Sequence, residues 1–260
     1  MQAYKTQSKR NEQKIGKCFE WIFEIKFTKI LTTQNCRSAI KGGSMLITAH
    51  GGAMKTHRNS KLFFDTIVSY AIDVIEVDIW RFKELLYLSH LPSVFPRRCI
   101  PLSYAFDIVK RYGYKINCDV KQRHLVKDVL ALAREKDVLN HIIFTGSVCA
   151  KDIQHLDEGE VYLNKSFFGI RRPLPFDVKT MKTYIDSFDN PRIKGINLKY
   201  TFCTEEFLAE CARHSLAVSV FVVDNINEMQ RLVRHSELAN ITTNYPDILM
   251  RLLSKEAKKT

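Results

Sequence analysis

Two short segments constrain this chain more than any other feature. Val74-Ile75-Glu76-Val77-Asp78-Ile79 alternates apolar and acidic residues, and Lys115-Ile116-Asn117-Cys118-Asp119-Val120-Lys121 alternates in the same way. Successive side chains of a strand point to opposite faces, so Glu76 and Asp78 share one face and Ile75, Val77 and Ile79 the other. Neighbouring carboxylates repel, and a strand tolerates them where a cation lies between them or where the face is open to water. One such strand also fits an exposed edge. Two of them, the second with Asn117, Asp119 and Lys121 on one face, point to a shared polar interior. That is the arrangement of a (β/α)8 barrel, whose outward strand faces pack under helices and whose inward residues at the C-terminal strand ends line the active site.

The rest of the chain keeps this rhythm. From Met45 onward strand and helix patterns alternate about eight times, the signature of a parallel α/β fold. Strands are expected at Met45–Ala49, Val74–Ile79, Glu84–Ser89, Lys115–Val120, Ile142–Thr145, Val161–Leu163, Ile193–Leu198, Leu216–Val223 and Asn240–Thr243. Helical spacing covers Leu62–Ile72, Pro101–Tyr112 with Gly113 beyond its end, Arg123–Lys136, Val178–Phe188, Thr204–His214 and Asn227–Arg234, and a last helix starts near Asp247. No glycine-rich nucleotide loop follows any strand, which argues against an open nucleotide-binding sheet. The expected fold is α/β, a single-domain (β/α)8 TIM barrel over residues 45–260.

Residues 1–44 read differently. They lack the strand and helix alternation, and they hold nine Lys/Arg against three Asp/Glu, half of the net charge of +12. The stretch Glu20–Leu31 has the aromatics and lysines of a weak membrane-surface contact. Lys41-Gly42-Gly43-Ser44-Met45 fits a purine-rich ribosome-binding sequence before a start codon. Residues 1–44 are therefore expected to be an N-terminal extension, disordered or upstream of the true start. No apolar run reaches the ~20 residues that span a bilayer, and no nucleic-acid-binding motif is present. The seven cysteines are odd in number and irregular in spacing, which argues against a disulfide framework and for a reducing, cytoplasmic location of bacterial type.

The strand ends carry chemistry. His50-Gly51-Gly52 follows the first strand, Arg58-Asn59-Ser60 opens the first helix, and Glu76-Val77-Asp78 lies in the second strand. His90-Leu91 follows about a dozen residues later, then Asp119-Val120-Lys121, Val220-Phe221-Val222-Val223-Asp224 and Ile241-Thr242-Thr243-Asn244-Tyr245-Pro246-Asp247. In this order they resemble the glycerophosphodiester phosphodiesterase family, over about residues 45–253. That family's motifs are His-Arg-Gly, Glu-Asn-Thr, Glu-x-Asp, His-Asp, acidic-x-Lys, Trp-Thr-Val-Asn and Ile-x-Thr-Asp-x-Pro. The chain departs from them at Gly51, where the phosphate-holding Arg stands, at Arg81-Phe82-Lys83-Glu84, where a Thr-x-Asp-Gly turn stands, and at Phe221, where the Trp stands.

The resemblance implies that Glu76, Asp78 and Asp119 hold one divalent cation, Mg2+ or Ca2+, as suits oxygen ligands. It implies His50 and His90 as general base and acid, in an order the sequence leaves open. Lys121 would pair with the phosphate or orient Asp119, and Gly51 and Gly52 would let backbone N–H groups approach the anion. Lys121, Lys165, Lys199 or Arg171-Arg172 are candidates for the missing positive charge, and His57 lies close enough in sequence to reach substrate. The expected partner is a small phosphodiester. Competing readings are a phospholipase-like barrel, with Phe167, Phe168, Ile170 and Leu174 as its apolar rim, and a barrel that binds a phosphorylated ligand without turnover.

Overall fold

The computed structural model describes residues 45–169 and 177–256. The strands, in chain order, are β1 (Leu46–Ala49), β2 (Val74–Phe82), β3 (Leu85–Leu88), β4 (Lys115–Val120), β5 (Ile142–Gly146), β6 (Glu160–Asn164), β7 (Ile193–Lys199), β8 (Ala217–Phe221) and β9 (Leu238–Thr243). All but β3 run parallel and close into an eight-stranded barrel, with β1 paired to both β2 and β9. The helices are α1 (Lys61–Ile67), α2 (Leu102–Tyr112), α3 (Val126–Lys136), α4 (Ala150–Ile153), α5 (Val178–Asp186), α6 (Glu205–Arg213), α7 (Ile226–Leu232) and α8 (Pro246–Glu256). The expected single-domain (β/α)8 barrel is the observed one.

Strand alternation sorts the side chains into two compartments. Ile75, Val77 and Ile79 of β2 and Ile116, Cys118 and Val120 of β4 are sealed from water, in one core with Phe63 and Phe64 of α1 and Phe106 of α2. The inward residues form layers. Val74, Ile143 and Tyr162 make a small apolar floor. Above it lies a hydrogen-bonded polar layer. Thr48 Oγ1 donates to Asn240 Oδ1 at 2.6 Å, Asn240 Nδ2 to Ser219 Oγ at 3.0 Å, and Thr145 Oγ1 to Asn117 Oδ1 at 3.0 Å. Pairing inside the barrel satisfies polar groups that burial would otherwise penalise. The charged groups stand at the C-terminal rim, where the register sets Asp78 opposite Asp119 and Glu76 opposite Asn117.

Local signals set several element ends. Ser60 accepts the Phe63 N–H and caps α1. Gly113, at φ +72°, ends α2 in the left-handed region that glycine enters without strain. Other expectations need correction. The first helix stops at Ile67 rather than Ile72, because the chain turns at Val68 to enter β2. The third helix begins at Val126 rather than Arg123. The short strand after β2 is present, but it folds back antiparallel on β2 and is not part of the barrel wall. The helix α4 was not expected. Residues 1–44, the proposed rim residues Ile170 and Leu174, and the candidate cations Arg171 and Arg172 lie outside the described residues. Among the described residues, no helix is long and apolar enough to cross a membrane.

Phe64 joins two helices to the barrel, with its ring 5.3 Å from Phe63 and 5.6 Å from Tyr104. Phe64→Ala would leave a cavity in a fully buried site, and a loss of about 3–5 kcal/mol is expected, read as a lowered urea midpoint.

Candidate active site

A cavity of about 280 Å³ opens at the C-terminal rim of the barrel. Its walls include His50, Arg58, Glu76, Asp78, His90, Asp119 and Lys121. The five expected catalytic and metal-binding residues and Lys121 thus meet in one place.

His50 follows β1 directly, and its N–H donates to the Thr243 carbonyl at 3.0 Å. Its Nδ1 lies 2.9 Å from Asn244 Oδ1. Asn244 Nδ2 donates to Asp224 Oδ2 at 2.7 Å, and its backbone N–H donates to Asp224 Oδ1 at 2.8 Å. With the Asn244 amide nitrogen committed to a carboxylate, its oxygen faces the imidazole and accepts from Nδ1. The neutral ring therefore carries its proton on Nδ1 and a free lone pair on Nε2. Burial pushes the His50 pKa down; the Asn244 bond opposes this, and the Arg58 charge reinforces it.

Glu76 and Asp78 are buried, at 4% and 2% exposure. Burial pushes the Glu76 carboxyl well above the usual range, and the charges of Asp78 and Asp119 push it further. Its Oε2 accepts the Gly51 N–H at 2.6 Å. Asp78 behaves differently. Burial alone would raise it, but Lys121 and Asn59 outweigh burial and hold it below the usual carboxylate value. Asn59 clamps it twice: Nδ2 donates to Asp78 Oδ2 at 2.8 Å, and the Asp78 N–H donates to Asn59 Oδ1 at 3.1 Å. Lys121 Nζ lies 2.5 Å from Asp78 Oδ1 and 2.6 Å from Asp119 Oδ2. Burial would lower the ammonium pKa, but these two carboxylates raise it, so Lys121 stays charged. Burial raises Asp119, and Lys121 only partly offsets it.

Ligand oxygens of Glu76, Asp78 and Asp119 all lie within 4.8 Å of one another. Three hard oxygen donors around one point suit Mg2+ or Ca2+. A second group, His124, Cys149 and Asp152, is equally compact, but its contacts are those of a helix start. Asp152 Oδ2 accepts the Cys149 N–H at 2.9 Å and the Cys149 thiol at 3.0 Å, capping α4.

His90 reaches the cavity by a detour. β2 runs on past the barrel into the hairpin with β3, and the Ser89 N–H then donates to the Asp78 carbonyl at 3.0 Å. This sets His90 Nδ1 3.4 Å from Asp78 Oδ2.

The two glycines do not offer N–H groups to the cavity. That of Gly51 is taken by Glu76, and that of Gly52 donates to the His50 carbonyl at 2.6 Å. His57 is exposed and does not line the cavity. Lys165 lies over the Phe202 ring, 5.1 Å away, and neither it nor Lys199 lines the cavity.

Sequence reasoning missed two residues that matter here. Arg58 lines the cavity and has no carboxylate partner among the described residues. A Cβ on Gly52 would come 3.0 Å from Arg58 Cγ, so Gly52 makes room for the Arg58 stem. Gly146 ends β5 at φ +87°, and a Cβ there would lie 2.0 Å from Asp119 Oδ1. The signal for Gly146 was a glycine closing a β-branched strand; the signal for Arg58 was its place beside Asn59.

No protein-family model matches the sequence, and no curated protein matches it. Solved structures do match. A putative glycerophosphoryl diester phosphodiesterase from Agrobacterium tumefaciens has a TM-score of 0.68 at 12% identity, covering 83% of this chain and 100% of that one. A putative glycerophosphodiester phosphodiesterase from Galdieria sulphuraria has a TM-score of 0.65 at 18% identity, covering 82% and 99%. An Oleispira antarctica phosphodiesterase, solved with its product sn-glycerol-3-phosphate, has a TM-score of 0.63 at 12% identity, covering 80% and 96%. The chain has the fold of these phosphodiesterases.

Two outcomes are expected from this geometry. Glu76 binds its proton more tightly folded than unfolded, so its contribution to stability falls as pH rises above the ordinary 4.5 toward its raised folded value. In EDTA the thermal midpoint should therefore fall across that window. Glu76→Gln should flatten the slope and reduce the stabilisation by added Mg2+ or Ca2+. Gly146→Ala should weaken divalent-cation binding, measured by titration calorimetry, because its methyl group would displace Asp119; strain of about 1–3 kcal/mol should also lower the thermal midpoint.

Proposed function

We propose that this protein is a divalent-cation-dependent phosphodiesterase that cleaves small glycerophosphodiesters to glycerol 3-phosphate and an alcohol. The observation that carries the reading is the convergence of Glu76, Asp78 and Asp119 with His50 and His90 on one cavity. The fold shared with phosphodiesterases, one of them holding sn-glycerol-3-phosphate, supports it. Glu76, Asp78 and Asp119 would hold one Mg2+ or Ca2+ ion. Such an ion supplies positive charge for phosphate oxygens as the transition state forms.

The chain's own groups divide the remaining work. His50 is the base: its Nδ1 proton is spent on Asn244, so Nε2 is free to take a proton from an attacking hydroxyl or water. His90 is the acid, beside Asp78, and protonates the departing alcohol oxygen. Lys121 offsets Asp78 and Asp119 and keeps their oxygens in place. Because both of its contacts are carboxylates, Lys121 is a weak candidate for direct phosphate binding. Arg58 fills that role, since a guanidinium suits two phosphate oxygens at once. A cytoplasmic location belongs to the same proposal and rests on the irregular, odd cysteine set.

The test is glycerol 3-phosphate release from a panel of glycerophosphodiesters, with EDTA, Mg2+ or Ca2+. Cation-dependent release is expected, abolished by Glu76→Ala and lowered about 10²–10⁴-fold by His50→Ala. Arg58→Gln should raise KM about tenfold, with partial recovery in Arg58→Lys, which keeps the charge but loses the planar fork. Folded protein with no release under any cation would refute the reading.

A further inference from the structure

Apolar side chains left in water are not scattered evenly over this protein. Among the described residues, the large exposed apolar side chains are Leu62, Phe82, Leu91, Val94, Phe95, Tyr184 and Ile226. Four of them fall between Phe82 and Phe95. Leu91, Val94 and Phe95 are 69%, 85% and 61% exposed. Single exposed apolar residues are ordinary, but a group of them marks an interaction surface.

The position of the group is informative. β2 leaves the barrel at the end where the cavity opens, β3 returns, and His90 lines the cavity. Leu91 is the next residue. The loop that follows is held in shape rather than frayed. Ser89 Oγ donates to the Leu91 carbonyl at 2.6 Å, the Ser93 N–H to Tyr87 Oη at 3.3 Å, and the Phe95 N–H to Ser93 Oγ at 3.1 Å. Pro96 is buried beneath it. The loop thus secures its own backbone while presenting Val94 and Phe95 to the outside.

Its charge selects the occupant. From Ile79 to Phe106 the only acid is Glu84, against Arg81, Lys83, Arg97 and Arg98. Arg81 pairs with Asp128. Lys83, Arg97 and Arg98 have no carboxylate partner among the described residues. Two of these cations cover exposed rings: Arg98 lies 4.9 Å from the Phe95 ring centre and Lys83 5.8 Å from that of Phe82. An aromatic ring with a cation at its edge suits the boundary of a bilayer, where the ring enters the apolar region and the cation reaches the headgroups. A second copy of this chain is a poor occupant, because a two-fold contact would bring like charges together.

We propose that the Leu91–Arg98 loop seats the mouth of the cavity on a membrane surface that carries anionic lipid. The docking stands on exposure and charge; its use, to meet phosphodiesters at a bilayer surface, rests on the phosphodiesterase reading.

The experiment is co-sedimentation of the full chain with vesicles of phosphatidylcholine, with and without phosphatidylglycerol. Val94→Ser/Phe95→Ser and Arg97→Gln/Arg98→Gln are measured beside it. The full chain should sediment with the anionic vesicles and much less with the neutral ones. Each double variant should bind about tenfold more weakly. None of the four side chains lines the cavity, so the thermal midpoint and release from a soluble substrate should stay unchanged. A full chain that stays in the supernatant overturns the proposal. So do variants that sediment like the parent, which would move the binding to another segment. A parent dimer that the Val94→Ser/Phe95→Ser variant converts to monomer overturns it in favour of a second copy. If no glycerol 3-phosphate is released, the phosphodiesterase reading falls, and the vesicle result still decides the docking.

Discussion

Carboxylates gathered inside a barrel repel one another, and the whole site depends on how that repulsion is met. Asp78 is the centre of the answer. It accepts from Asn59, pairs with Lys121, stands opposite Asp119 in the sheet register and faces His90. These contacts tie three segments to β2: the Asn59 loop, the end of β4 and the chain after β3. Lys121 pairs with two of the three carboxylates, and Glu76 is left with a backbone N–H as its partner. A buried anion with so little compensation is costly. Protonation of Glu76, toward which burial pushes it, removes that cost, and a divalent cation among the three acids would remove it as well.

The alternation of polar and apolar residues made the barrel legible. It works because the two faces of each strand meet different environments: helices outside, and a hydrogen-bonded layer inside. Where the sequence misled, the local signal was atypical. The β2–β3 hairpin turns through Lys83 and Glu84, with Lys83 at φ +54°. Two-residue hairpin turns usually advertise themselves with Asn or Gly, and this one does not. The helix α4 starts at Cys149 with Asp152 three residues on, which is a capping box without its usual Ser or Thr. Both devices work physically while carrying the wrong letters for a sequence reading.

The candidate site was legible as a set of residues, but not as a distribution of charge. The sequence places Arg58 at a helix start, next to the cap. Only folding reveals that Asn59 is bonded to Asp78, so that its neighbour must stand at the cavity wall. The lysines weighed for that role fail for local reasons. Lys121 is claimed by two acids, and Lys165 is drawn over Phe202. Burial and pairing, which no spacing rule encodes, decide which cation is left for an anion.

One over-long strand links the two histidines' surroundings to the outer surface. β2 is paired to β4 as far as Ile79, and Trp80, Arg81 and Phe82 run beyond that partner. Unpaired backbone groups at a sheet edge need partners, and β3 supplies them. The return of β3 brings Ser89 onto the Asp78 carbonyl and His90 to its carboxylate. The same return leaves the chain to cross the rim as the Leu91–Arg98 loop before it reaches α2. Ser89 bonds to Asp78 through its N–H and to Leu91 through its hydroxyl. The second histidine and the exposed apolar loop are therefore consequences of a single excursion. Ser89 is the residue they share, so the loop and the site start from the same anchor.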